Sequence, residues 1–319
     1  MRQPPPGHLG AGAFLRQANA AMGKHVPDLI WICPREMKMA RIIRELKRIK
    51  EDLANGGLLR AKAGIVMRFQ KKRMKRRRRA IADMIAGKLG YEVRHGIFKN
   101  MKLPMKSTWG CDHATKCLGI YELQTLDKIE EISKSDKITT LIDIGGADGY
   151  FAIGVLTARL FDLTIAFEIS EAGRQTILDA AKMNNVHNLI RVYGEADQNS
   201  ILQALDENGI KQENCLFLVD IEGAEFDIFT PEFLQKFSQS EFIIELHDPV
   251  PGKRKSKEFC NAIRSHEKHI YTSTCRNPRE FSELDILDDN DCWLLMSEGR
   301  GYPMEWLHLR PFHSRTGNR

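Results

Sequence analysis

From residue 139 onward the chain alternates short apolar runs with helix-length amphipathic stretches, and that alternation demands βαβ units and a parallel sheet. TTLIDIG (139–145), LTIAFEIS (163–170), NLIRVYGEA (188–196), NCLFLVDIEG (214–223) and EFIIELHD (241–248) read as strands. Between and after them, YFAIGVLTARLF (150–161), EAGRQTILDAAKMNN (171–185), SILQALDENG (200–209), FLQKF (233–237) and SKEFCNAIRSHEKH (256–269) read as helices. HIYTSTC (269–275) and DCWLLMSE (291–298) are expected to complete the sheet as strands. Ligands of such sheets bind beyond the carboxyl ends of the strands.

The first strand ends in a way that a packed core does not need. Asp143 closes an apolar run, and Gly145, Gly146 and Gly149 follow it. The pattern is not a P-loop, because no Gly-Lys-Ser/Thr follows. Nor is it a dinucleotide fingerprint: counted from Gly145, the third and sixth positions are Ala147 and Tyr150. A pyrophosphate seeks helix-end N–H groups and no nearby carboxylate. S-adenosylmethionine (SAM) carries a sulfonium and an ammonium, so an acidic turn favours it, and glycines let the backbone come close.

SAM is therefore the expected cofactor, with Asp143, Gly145, Gly146, Ala147, Gly149 and Phe151 around it. Glu168 ends the second strand 25 residues after Asp143, near the offset of about 20 at which a carboxylate takes a ribose diol. Glu195 and Ala196, with Asp197, follow the third strand where an adenine would lie, although Glu195 and Asp197 read equally well as solvated loop carboxylates. NAD(P), or a Rossmann-like fold without catalysis, stands as the alternative.

At the ends of the fourth and fifth strands stand Asp220, Glu222, Glu225, His247 and Asp248. Methyl transfer to a hydroxyl needs alignment and a proton acceptor. His247, whose ordinary pKa is about 6.5, is the expected general base. Asp220 is expected to contact the acceptor or the SAM ammonium, and Glu222 to assist. Glu222 or Glu225 alternatively serves only as a carboxylate at a helix start. Asp220, Glu222 and His247 could hold a divalent cation, but no ligand spacing demands one, and none is expected. Tyr121 and Glu122, upstream in GIYELQTLDKIEEI, lie where a helix would cover the cofactor, and read equally as ordinary helix packing with a solvated charge.

VDIEGAE (219–225), IIELH (243–247) and GIYE (119–122), around TLIDIGGADGYFAIG, resemble the FkbM-like SAM-dependent methyltransferases. The likeness spans roughly residues 95–250 and extends toward 300. It implies an α/β, Rossmann-like class I methyltransferase fold: a seven-stranded, mostly parallel sheet with helices on both faces and an antiparallel last strand. It also implies methyl transfer from SAM to a hydroxyl of a sugar, polysaccharide or related metabolite. Where that family's first motif often has Asn, this chain has Gly146 or Ala147. No [DN]-P-P-[YF] follows the fourth strand, as amine methylation would want, and Cys33-Pro34 is the reverse of a cytosine-methylating Pro-Cys.

Residues 1–27, rich in Pro, Gly and Ala, read as a disordered tail, and 28–94 as a helical, basic extension of a methyltransferase domain at 95–319. EMKMARIIRELKRIKED (36–52) has helical apolar spacing, and 64–88 reads as a second helix. That helix carries KKRMKRRRR, from Lys71 to Arg79, whose eight basic residues account for the imbalance behind the formal net charge of +6. The run is a solvated face or a contact for nucleic acid or an anionic surface. RNA is thus the rival methyl acceptor, though the run lacks the interleaved aromatics that stack on bases. A non-catalytic scaffold is the other rival. Seven dispersed cysteines without a CxxC pair suit reduced thiols in the cytoplasm. Neither a secretory signal nor a transmembrane segment is expected.

Overall fold

The computed structural model describes residues 51, 63–105, 112–248, 254–300 and 303–312. The tail at 1–27 and the helix expected at 36–52 lie outside the described residues, apart from Glu51, which is helical. The chain divides into two compact units, 1–71 and 72–319, and the second holds the sheet.

The helices are α1 at 63–88, α2 His113–Cys117, α3 Leu123–Ser133, α4 Tyr150–Thr157, α5 Glu171–Met183, α6 Gln198–Glu207, α7 Glu225–Ile228, α8 Pro231–Lys236, α9 Arg254–Ala262 and α10 Asp289–Met296. The strands are β1 Thr140–Ile144, β2 Leu163–Phe167, β3 Ile190–Tyr193, β4 Cys215–Val219, β5 Glu241–Glu245, β6 His266–Thr272 and β7 Glu305–Pro311. They form one seven-stranded sheet in the order β3-β2-β1-β4-β5-β7-β6, in which β7 runs antiparallel to both neighbours and the other pairs are parallel. This is the sheet expected from the alternation and from the family resemblance.

Period-two alternation divides the apolar residues between the two faces of the sheet. Leu141, Ala166, Leu216, Leu218 and Ile243 face one core, which takes Ile81 and Ile85 of α1, Ile153 of α4, Ile177 of α5 and Leu295 of α10. Ile142, Ile144, Ile165, Phe217, Val219 and Ile244 face the other, which takes Ile201 of α6, Phe233 of α8 and Phe259 of α9. In the second core the Phe217 and Phe242 rings stack at 4.6 Å between centroids, a pairing that adds about 0.5–1.5 kcal/mol to the area buried. Asp143 lies on the first face, buried, one residue before β1 ends.

Two expectations at the C-terminal end are corrected. DCWLLMSE is not a strand; residues 289–296 form α10. The Asp288 side chain caps it by accepting the Asp291 N–H, and Cys292, Leu295 and Met296, spaced three and four apart, are buried on its inner side. The last strand is β7, where Trp306 joins the first core and Leu307 and Leu309 the second. β6 also begins earlier than expected, at His266, because the preceding helix α9 stops at Ala262. No helix among the described residues is long and apolar enough to cross a membrane.

Candidate active site

The strand order reverses between β1 and β4, and a crevice opens there beyond their carboxyl ends. It encloses about 380 Å³, open solvent included, and its wall includes Asp143, Gly145, Gly146, Ala147, Phe151 and Asp220. Gly145 has φ +96°, and a side-chain carbon there would come within 2.0 Å of the Asp220 carbonyl oxygen. The two strand ends therefore meet backbone to backbone, and only glycine fits between them. The Gly145 and Gly146 N–H groups both donate to the Phe167 carbonyl of β2 at 2.9 Å, folding the turn over the neighbouring strand.

Glu168 stands directly behind this turn. Its carboxylate is buried and each oxygen takes a backbone donor: Oε2 accepts the Ala147 N–H at 2.9 Å, and Oε1 accepts the Ser170 N–H at 2.7 Å. Gly173 makes room for it, since a side-chain carbon there would approach the Glu168 Cγ to 2.6 Å. Gly149, Glu168, Glu195 and Ala196 do not stand on the crevice wall. Glu195 is exposed, Ala196 packs against the second core, and Asp197 caps α6 through the Ser200 N–H.

The wall also contains residues that the sequence reading did not select: Lys116, Asp148, Tyr150, Leu218 and Trp306, with Tyr121, which it did. Lys116 and Asp148 are both buried and paired bidentately at 2.7 and 2.8 Å, so the cation on the wall is neutralised by its neighbour. Tyr150 Oη and Trp306 Nε1 are buried without a hydrogen-bond partner. Such orphaned donors are costly unless a ligand takes them. Glu122, next to Tyr121, is buried and paired with Arg300, which also reaches Glu245 at 3.1 Å and Glu298 at 3.3 Å.

Burial, then the charges of Asp220 and Glu168, pushes Asp143 up to about 7. Burial likewise raises Asp220, although His247 and a hydrogen bond with Glu245 pull it back. Glu245 is pushed up to about 10 by burial and by Asp220.

The structure brings Asp220, Glu222 and His247 together. His247 Nε2 lies 3.7 Å from Asp220 Oδ1, 3.8 Å from Glu222 Oε2 and 3.7 Å from Glu245 Oε2. Glu225 lies behind the ring: its Oε1 accepts the His247 backbone N–H at 2.8 Å and stands 3.5 Å from Nδ1, while Oε2 accepts the Gly223 backbone N–H. Burial opposes the charged ring, but Glu225, Asp220 and Glu222 outweigh it and raise the His247 pKa. Asp248 turns away and accepts from the Ser256 N–H and hydroxyl.

No family model matches the chain, and no curated protein matches it. Among solved structures it is similar to the METTL16 MTase domain, with TM-score 0.44 and 13% identity over 74% of this chain and 79% of that one. It is also similar to the O-methyltransferase TomG of Streptomyces achromogenes, involved in tomaymycin synthesis and solved with SAM, with TM-score 0.41 and 13% identity over 60% and 82%. Spermidine synthase from Thermotoga maritima is similar with TM-score 0.38 and 14% identity over 57% and 55%.

Proposed function

We propose that the chain is a SAM-dependent methyltransferase that methylates a hydroxyl of a sugar, polysaccharide or related metabolite, as its FkbM-like motifs imply. The observation that carries this reading is the pair Asp143 and Asp220 on one crevice wall. With Lys116 already neutralised by Asp148, the crevice turns negative as Asp143 and Asp220 ionise and then suits a sulfonium and an ammonium, not a pyrophosphate. Tyr150 Oη and Trp306 Nε1 supply donors for the carboxylate of the same ligand.

In the reaction, the acceptor oxygen forms a bond to the methyl carbon while the carbon–sulfur bond breaks and leaves its electron pair on sulfur. The acceptor proton goes to His247 Nε2, which must be neutral to take it. Because its pKa is raised, the rate is expected to climb with pH through that value.

Calorimetry with SAM and S-adenosylhomocysteine tests the cofactor, and transfer of labelled methyl to glycans tests the acceptor. Uptake of NAD(H) with no uptake of either sulfur compound would refute the reading. RNA is the second acceptor to try, because Lys71, Lys72, Arg73, Lys75 and Arg76 are exposed on α1. Its binding should weaken steeply with salt. Binding of SAM without turnover on any acceptor would favour a scaffold. Five free cysteines among the described residues fit a reducing cytoplasm.

A further inference from the structure

The cage around His247 is spaced unlike a set of ordinary ion pairs. A charged imidazole hydrogen-bonded to a carboxylate stands about 2.7–2.9 Å from it. Here three carboxylate oxygens surround Nε2 at 3.7 to 3.8 Å, and none is that close. Ligand atoms that share one ion at bonds of about 2.0–2.2 Å stand roughly 3.0–3.6 Å from one another. The ligand atoms of Asp220, Glu222 and His247 all lie within 4.8 Å of each other, so a small contraction closes them around a common centre.

The surroundings are those of a supported metal ligand. Glu225 is fully buried and pinned by two backbone N–H groups, and its Oε1 faces the far ring nitrogen of His247. A carboxylate behind a metal-binding histidine fixes its tautomer and ring plane. His247 Nδ1 is buried without a hydrogen-bond partner, 3.5 Å from Glu225, and Nε2 is the ring nitrogen that faces Asp220 and Glu222. Glu222 is 84% exposed, with φ +54° at the turn after β4, which leaves one side of the centre open. No ligand spacing marks the site along the chain, because the donors come from the ends of two strands, β4 and β5.

We propose that Asp220, Glu222 and His247 form a binding site for a divalent transition cation such as Mn2+, open on the Glu222 side. One imidazole with carboxylates suits such an ion better than Mg2+ or Ca2+, which prefer all-oxygen sets. Asp220 belongs both to this site and to the crevice wall. The ion's role rests on the methyl-transfer reading: with the ion in place His247 Nε2 would be a ligand and no longer the base, and the ion would bind the acceptor oxygen and lower the pKa of its hydroxyl, whose proton would pass to water on the open Glu222 side. The site itself does not depend on that reading.

The test uses the metal-stripped full chain titrated with Mn2+, following free Mn2+ by electron paramagnetic resonance. One ion per chain is expected. Binding should weaken at least about tenfold in His247→Ala and in Glu222→Gln, and stay unchanged in Glu130→Gln on the exposed side of α3. Nitrogen hyperfine coupling in the bound-Mn2+ spectrum should vanish in His247→Ala. Glu222 is on the surface, so its variant reports even if His247→Ala does not fold. Absence of stoichiometric binding, or equal binding in both site variants, overturns the proposal. Calorimetry with S-adenosylhomocysteine on the same sample separates the two readings: Mn2+ binding without it sinks only the methyltransferase, and the converse sinks only the metal site.

Discussion

Glu168 and Ala147 are joined by a 2.9 Å hydrogen bond from the Ala147 N–H to Oε2, and the same carboxylate takes the Ser170 N–H on its other oxygen. The residue expected to bind a ribose is thus also the clamp that fixes the glycine turn, with Ala147 at φ +48°. Glu168→Gln would set an amide NH2 against one of two backbone donors. It should destabilise the protein by about 1–3 kcal/mol without any ligand present, read as a lower denaturant midpoint. Gly173→Ala, which crowds the Glu168 Cγ, should do the same by about 1–3 kcal/mol. Unchanged midpoints in both would show that the clamp carries no stability.

Gly145→Ala combines a left-handed backbone with a clash against the Asp220 carbonyl. The strain alone costs on the order of 1–3 kcal/mol, and relief requires β1 and β4 to part at the crevice. The expected result is a protein that keeps its helical circular dichroism but loses affinity for S-adenosylhomocysteine in calorimetry. Retained affinity would mean that the strand ends can separate without harm to the site.

Asp143 gives the crevice a pH signature. In the unfolded chain its carboxyl ionises near the ordinary value of about 3.9, and in the folded chain at about 7. Between those values the folded state holds the extra proton, so its contribution to stability falls as pH rises and levels off above the folded value. The slope is at most about 1.4 kcal/mol per pH unit. Asp143→Asn should remove this slope, so its stability advantage over the parent grows across that window in urea titrations. A cationic ligand favours the ionised carboxylate, so SAM affinity should rise with pH through about 7. A ligand whose affinity fell over the same range would point to an anion.

The first five strands were legible because each is a buried apolar run between helical stretches, and burial on both faces leaves a continuous signature in the sequence. The turn was legible through Asp143 and its glycines. The end of the chain was harder to read. CWLLM is apolar enough for a strand, and only the Asp288 cap and the spacing of Cys292, Leu295 and Met296 mark it as a helix. β6 carries mostly exposed residues because it lies at the sheet edge. Lys116 of α2 and Trp306 of β7 reach the crevice from far along the chain, and no local pattern could have assembled them with the turn, whereas Asp148 and Tyr150 flank Gly149 within the turn itself and were passed over. Glu245 appeared only as part of a strand motif; its place beside Asp220 and Arg300 comes from the pairing of β4 with β5 and from the residues after α10.

The basic run divides into an inner and an outer face, and its two sides should respond differently to substitution. Arg78 is buried and pairs with Asp112 at 2.9 Å, and Arg77 reaches Asp288 at 3.3 Å and Asp291 of α10. Arg76, two residues before Arg78, is exposed. Arg78→Ala leaves the Asp112 carboxylate, only 18% exposed, without its partner, and breaking a buried pair costs up to about 3–5 kcal/mol. Arg76→Ala, at the surface, should change stability by less than about 0.5 kcal/mol. Thermal melts of the two variants check this. If RNA is the acceptor, filter binding at low salt should reverse the ranking, with Arg76→Ala weakening RNA binding while its melting temperature stays at the parent value. Equal effects of the two variants on stability would mean that the run is solvated on both sides and that α1 is not anchored through Arg78.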